Sequence, residues 1–398
     1  VRLAVLTPYL PHPLDAGGKI RSFHLLQGLA RAHEVDLYTL HHGEAPDVAS
    51  VFRASCRSVF SASLTDGDGR RGFSALDALR PFTQTIAHFQ SPRALSEIRA
   101  RLAAGGYDLL VADELCMTPY SAGLPGRKLG ARQKIEHLHH RALAALRPPG
   151  ARRWIEALDL ARLRRFERRA MAAMDAAVCC SEEDARLLRT LNPSAAVAVV
   201  PNGVDPDLFQ PAAERPGAPP TVVFVGTLDY PPNVDAVEHF FHAIHPRLRA
   251  LVPELRVRLV GRSPAPEVRR FESRPGVTVL GDVPDVRSHL ADASVAVVPL
   301  RVGGGTRIKI LEALAAARPV VSTSVGAEGL GLRDGEHLLV ADDPEAFARA
   351  VARLLGDASL RRRLAVAGRG LVVERFAWSS LGRRFAEVCA RVAQTGRP

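Results

Sequence analysis

The sequence predicts an α/β fold of two successive doubly wound domains facing across a cleft. Three observations carry that prediction. The chain has 398 residues, more than a single hydrophobic core usually organises. Short strands of Val, Leu and Ile alternate with helix-like stretches along it, which argues for parallel sheets with crossover helices. Many of these strands are apolar throughout rather than at every second residue, as in sheets covered on both faces.

In order from Arg2, the first elements are the strand "RLAVLT", the loop "PYLPHPLDAGG", the helix "KIRSFHLLQGLARA" and the strand "EVDLYTL". The same alternation gives strands at "YDLLVAD" (107–113), "QKIEHL" (133–138) and "DAAVCC" (175–180), a long helix near 152–173, and a helix "SEEDARLLRT" with Ser181 as its N-cap. "AVAVVPNGVD" (196–205) is a strand and turn that open the second domain, and "QPAAERPGAPP" (210–220) has the composition of a linker or exposed loop. Further strands are expected at 221–226, 256–261, 277–281, 294–299, 319–323 and 337–341, and the tail from Pro344 reads as two or three helices. The expected division is a Rossmann-like domain over 1–195, a second over 196–375, and a C-terminal helix over 376–398 packing back toward the first. Ligands of open α/β sheets bind outside the carboxyl ends of the strands.

Composition narrows the class. With 47% hydrophobic and 24% charged residues the chain resembles an ordinary soluble α/β protein, and no apolar run approaches the ~20 residues of a spanning helix. The amino end reads as a first strand rather than a signal peptide. A cytoplasmic chain, peripheral at most on the inner face of a membrane, is expected. Five cysteines with no CxxC spacing read as reduced structural thiols, and no metal site is expected.

In "VGGGTRIKILEAL", Gly303, Gly304 and Gly305 lead through Thr306 into a helix amino terminus, where free N–H groups and the helix dipole favour an anion. The loop is neither a Walker A nor a dinucleotide fingerprint. On the residues alone it is either a phosphate seat or a glycine-rich turn capped by Thr306, with Lys309 and Glu312 pairing in solvent.

The flanking segments decide more. "VVPNGVDPDLF", "VFVGTLDYPPNVDAVEHF", "GDVPDV" and "EALAAARPVVSTSVGAEGL" surround the loop in a fixed order. Residues 196–330, and more loosely the amino end, resemble glycosyltransferase family 4, whose members have the GT-B fold and are retaining enzymes using nucleotide-sugar donors. The form "VGTLDYPPNVDAV" looks most like bacterial exopolysaccharide-associated sugar transferases.

That resemblance implies roles for named positions. Of the family's paired glutamates the second aligns with Glu312, which accepts hydrogen bonds from donor ribose hydroxyls, while the first falls on Gly304. The family's Arg and Lys after the first donor-domain strand are also missing, since Gly226 is followed by Thr227, Leu228, Asp229 and Tyr230. Arg307 and Lys309 are the cations left to stabilise a departing diphosphate, with Gly304, Gly305 and Thr306 donating backbone N–H groups. Gly226, Thr227, Val283 by the nucleobase, and Glu328 of "GAEGL" complete the donor set. In the amino domain Gly17 and Gly18 match the family's glycine loop, although as a bare motif they also suit a tight strand-to-helix turn. His137 matches a histidine near the sugar C6 hydroxyl or the acceptor.

The segment 151–173 carries seven arginines with Trp154, Leu158 and Phe166, and reads as a solvated face or a surface for anionic lipid; no nucleic-acid motif accompanies it. The implied function is transfer of a hexose from a UDP- or GDP-linked donor to a hydroxyl of a glycan or lipid-linked acceptor, with retention and without a metal. Two alternatives stay open: a GT-B-shaped nucleotide-sugar epimerase, and a non-catalytic nucleotide-sugar-binding module.

Overall fold

A computed structural model describes residues 1–43, 51–64, 83–146, 153–212 and 217–395. Arg152 and the centre of the expected 210–220 linker fall outside the described residues. The chain divides into two compact units, Val1–Pro201 with the chain from Ser379 on, and Asn202–Trp378.

The first unit is built on a parallel seven-stranded sheet of order β3-β2-β1-β4-β5-β6-β7. Its strands are β1 (Arg2–Thr7), β2 (Glu34–His41), β3 (Ser58–Ser63), β4 (Leu109–Asp113), β5 (Arg127–Ala131), β6 (Ala176–Cys179) and β7 (Ala196–Val199). All residues of β4 and β6 are buried, as expected of central strands with helices on both faces. The helices that matter here are α1 (Gly17–Ala30), α2 (Pro92–Gly105), α3 (Glu136–Ala145), α4 (Arg153–Ala172) and α5 (Glu182–Leu191). Ser181 caps α5 as anticipated, its hydroxyl accepting from Asp184 N at 3.1 Å.

Two expectations are corrected. The stretch 133–138 is not a strand: β5 lies earlier, at 127–131, and α3 begins at Glu136. Ile135 and Leu138, three apart, pack with Met171 and Leu188, which is helical rather than alternating spacing. His137, His139 and His140 therefore lie around a helix, not on opposite faces of a strand. The strand at 196–199, assigned from sequence to the second domain, pairs in parallel with β6 and forms the edge of the first sheet. The buried Arg21 of α1 donates to Val200 O at 2.8 Å and Pro201 O at 3.0 Å, tying that end to the first unit.

The second unit holds a parallel six-stranded sheet of order β10-β9-β8-β11-β12-β13. Its strands are β8 (Thr221–Val225), β9 (Arg256–Gly261), β10 (Val277–Gly281), β11 (Val295–Val298), β12 (Val320–Ser322) and β13 (Leu339–Val340), each within an expected segment. Its helices include α6 (Pro231–His239), α7 (Ile308–Ala315), α8 (Pro344–Gly356) and α9 (Ala358–Arg375). Asp343 and Asp357 cap the last two through backbone N–H groups at 2.9–3.0 Å. From Ser379 the final helix, α10 (Trp378–Gln394), belongs to the first unit. Backbone contact between α1 and α10 requires glycine on both sides: a Cβ on Gly28 would lie 2.4 Å from Gly382 Cα.

Candidate active site

In both sheets the strand order reverses beside the first strand of the unit, between β1 and β4 and between β8 and β11. The carboxyl ends there are the switch points at which open α/β sheets take ligands.

In the second unit, Gly226 follows β8 and the glycine segment follows β11. Lys309 is half-buried in the first turn of α7, and its Nζ donates to Asn233 Oδ1 at 2.8 Å and stands 4.1 Å from the centre of the Phe224 ring. Asn233 Nδ2 in turn donates to Thr227 O at 2.8 Å. A Cβ on Gly226 would lie 2.8 Å from Lys309 Nζ, so the ammonium closes on the backbone leaving β8. That is the region where the resemblance led us to expect an Arg and Lys that the local sequence lacks. Burial pushes the Lys309 ammonium down to about 7, with the Arg307 charge acting the same way and Glu312 opposing it. Burial pushes the Glu312 carboxyl up to about 7 against the pull of Lys309. The solvent-exposed Lys309–Glu312 pair considered from sequence is thus replaced by two half-buried groups poised to change charge near neutrality.

The other donor-side residues separate by role. Arg307 is buried, its guanidinium lies against Gly303, and it donates to Val325 O at 3.2 Å, linking the glycine segment to the turn before Glu328. Thr306 is not the helix cap; Arg307 occupies that position. Thr306 instead anchors the "PNGVD" turn: its hydroxyl accepts from Asn202 N at 3.3 Å and its carbonyl from Asn202 Nδ2 at 2.9 Å. Gly304 is exposed, and Gly305 has φ +68°, a left-handed conformation suited to glycine. Glu328 is exposed, while Val283 is half-buried and packs on the core.

In the first unit Gly17 and Gly18 open α1. A Cβ on Gly18 would meet Tyr9 Oη at 2.3 Å and Gln133 Oε1 at 3.2 Å, so this glycine permits close approach rather than only a turn. His137 is held by Glu167 of α4: Nδ1 lies 2.5 Å from Glu167 Oε2, and the His137 backbone N donates to the same oxygen at 3.2 Å. Glu167 and Glu136 both pair with the fully buried Arg132. Burial opposes the charge on Glu167, yet Arg132 and the His137 hydrogen bonds hold its carboxyl down at about 2. Beyond His137, a cavity of about 440 Å³ runs among α3, α4 and α5, walled by Leu138, Leu160 and Leu191 with Arg141 and Arg164 at its lining.

Sequence reading missed Asn233, Glu167 and Arg132. A signal for Glu167 exists: Leu163, Glu167 and Met171 recur every four residues, placing a carboxylate on the buried stripe of an arginine-rich helix. Asn233 has no comparable local signal. Among the described residues no group of three His, Cys, Asp or Glu could hold a metal ion, no helix is long and apolar enough to cross a membrane, and all five cysteines are buried and free.

Two doubly wound units, each with a glycine-edged ligand point at its switch strand, define a GT-B protein of the glycosyltransferase class. Comparison with known proteins agrees. A family model described as "Glycosyltransferase Family 4" matches residues 17–208, and one described as "Glycosyl transferases group 1" matches residues 219–357. The chain belongs to the family 4-like glycosyltransferases. It is 33% identical over 210 residues to a phosphatidyl-myo-inositol mannosyltransferase of Mycobacterium tuberculosis, covering 50% of this chain and 54% of that protein. It is 31% identical over 227 residues to a GDP-mannose-dependent alpha-(1-6)-phosphatidylinositol monomannoside mannosyltransferase of Mycolicibacterium smegmatis, covering 51% of this chain and 58% of that one. The chain spans about half the length of the curated relatives it matches. Its fold matches sucrose-phosphate synthase from Thermosynechococcus elongatus with a TM-score of 0.77 at 20% identity, over 98% of both chains.

Proposed function

We propose that the protein transfers a hexose from a UDP- or GDP-linked donor to a hydroxyl of a glycan or lipid-linked acceptor, with retention of configuration. The observation that carries this reading is the Lys309 ammonium, brought to the end of β8 and held there by Asn233, with Glu312 one turn further along α7. Glu312 accepts hydrogen bonds from the ribose hydroxyls. Lys309 and the N–H groups of Gly304 and Gly305 neutralise the diphosphate as the glycosidic bond breaks, which stabilises charge that grows in the transition state. The sugar passes through an oxocarbenium-like state, and the acceptor attacks the face the diphosphate leaves, giving up its proton to the departing phosphate. The reading needs neither a covalent nucleophile nor a metal. Arg307 supports it from beneath by fixing the loop.

Within the first unit the reading assigns Gly17, Gly18 and His137 to ligand contact, with Glu167 orienting the imidazole. A lipid-linked acceptor is supported by α4, where Trp154 and Leu158 are exposed beside a row of arginines, as on helices that lie on anionic membrane surfaces. Gly304, standing where the family carries a glutamate, favours one second reading, a nucleotide-sugar-binding protein without turnover. A thermal-shift screen of UDP- and GDP-sugars, followed by NMR of the product anomer, tests both. A stabilising donor with a transferred α-linked sugar from an α-linked donor supports the enzyme. Stabilisation without turnover on lipid-linked or free glycan acceptors supports the binding protein, and no stabilisation by any donor sinks both.

A further inference from the structure

Glu114 follows β4 at the carboxyl end of the first sheet, beside the reversal between β1 and β4. Its backbone has φ 78° and ψ 155°, a region that belongs almost wholly to glycine. Its N–H donates to Ala131 O at 2.9 Å, so the conformation is locked by β5. The side chain is 9% exposed. Oε1 stands 4.0 Å from Lys134 Nζ, and Oε2 is buried with no hydrogen-bond partner among the described residues. A buried carboxylate oxygen left unsatisfied is costly, and a strained residue at a sheet's ligand end is where such a cost is met for function.

The surroundings suit a ligand that offers several hydroxyls. Tyr9, which follows β1, feels the fields of both Glu114 and Asp113 and hydrogen-bonds to Gln133. Gln133 and Tyr9 in turn stand over Gly18, the residue that lets the backbone of α1 come close. Asp113 is already engaged by Ser22, and Glu136 by Arg132, so Glu114 is the carboxyl of this cluster with an oxygen to spare. Burial, together with Glu136 and Asp113 and against Lys134 and Arg132, pushes its carboxyl up to about 8. It can therefore both donate to and accept from hydroxyl groups near neutral pH.

We propose that Glu114 binds a hydroxyl of a polyol ligand, a sugar or cyclitol ring, at the switch point of the first unit. The choice of a polyol rests on the glycosyltransferase reading; the existence of a site at Glu114 rests on its backbone and its unsatisfied oxygen. The donor residues named above do not include this position.

The test uses the full chain with methyl α-D-mannopyranoside and myo-inositol as probes, read by thermal shift and by calorimetry. The wild type is expected to show a saturable rise in Tm with at least one probe. At pH 9, where the carboxylate form prevails, Glu114→Gln is expected to weaken that binding about tenfold or more, the usual cost of a charged hydrogen-bonding partner. Glu114→Gly is expected to abolish it while its own Tm stays level or rises, because glycine relieves the backbone. A purely structural glutamate would do the opposite, losing stability and leaving probe binding unchanged. Absence of any polyol shift in the wild type, or equal affinity in Glu114→Gln at pH 9, overturns the proposal. Nucleotide-sugar shifts are measured in parallel: their failure in the wild type defeats the donor-site reading, while the polyol result judges Glu114 separately.

Discussion

If Lys309 meets the donor diphosphate, binding of that anion must be linked to a proton. In the free protein the ammonium titrates at about 7 instead of 10.5. Each tenfold change in an ionisation constant is worth about 1.4 kcal/mol, so keeping Lys309 charged without ligand costs on the order of 5 kcal/mol. A bound diphosphate brings compensating charge and draws the lysine back toward its ordinary value. Above about pH 7, binding then requires proton uptake. The protonated fraction of the free lysine falls from about one half at pH 7 to about one hundredth at pH 9, which alone weakens UDP or GDP binding about 50-fold; ionisation of Glu312 over the same interval returns about a factor of two, leaving a net fall of about 25-fold. The phosphates remain ionised throughout that interval and add no further pH dependence. Calorimetry in two buffers of different ionisation enthalpy should show little net proton exchange at pH 7, where uptake by Lys309 offsets release from Glu312, and net uptake rising toward one proton at pH 9. In Lys309→Arg the guanidinium stays charged, and the slope should vanish even if affinity changes. On the acid side Glu312, raised from 4.5 to about 7, should lose its ribose-binding carboxylate, and Glu312→Gln should flatten that limb. A flat profile from pH 7 to 9 in the wild type, or the same slope in Lys309→Arg, would refute the assignment of Lys309 to the diphosphate.

Three further outcomes follow from contacts already described. Gly226→Ala puts a methyl 2.8 Å from Lys309 Nζ and 2.9 Å from Asn233 Nδ2, both ends of side chains able to shift, so fluorescence titration should show weaker nucleotide binding with little change in Tm. Glu167→Ala leaves Arg132 with one buried carboxylate fewer and should cost about 3–5 kcal/mol in urea unfolding, a loss that an unchanged midpoint would contradict. In the wild type the Glu167 carboxyl lies below its unfolded value, so the stability it contributes is present above about pH 4.5 and should drain as pH falls toward 2. Replacing exposed Trp154 and Leu158 by serine should reduce sedimentation with phosphatidylglycerol vesicles several-fold and leave nucleotide binding alone; equal sedimentation would make α4 a solvated face.

What could be read from the sequence, and what could not, divides along the reach of each interaction. The strands of the second unit were legible because β8 and β11 are continuous Val-rich runs buried on both faces, a property each strand carries by itself. β3 is an edge strand with three serines, and β5 has only Leu129 and Ala131 to mark it, so their signals were weak and the apolar pair Ile135 and Leu138 was mistaken for a strand. β7 was legible as a strand but not in its membership, because only its ladder to β6, remote in sequence, assigns it to the first sheet.

The site shows the same limit more sharply. Glu312 and the glycines were visible in a local motif, whereas Lys309 is held by Asn233, 76 residues away, and nothing near either residue announces that pairing. Glu167 lay halfway between, its spacing with Leu163 and Met171 readable and its partner His137 not. Glu114 lies at the far end: "VADELCM" reads as a strand running into a turn, and only the backbone shows a glutamate held where glycine belongs. Motifs thus locate chemistry whose parts lie within one turn of a helix. The cation proposed for the diphosphate and the carboxyl proposed at the first switch point depend on residues far apart in sequence, and the missing Arg and Lys after Gly226 become intelligible once Lys309, whose ammonium closes on that backbone, is counted with it.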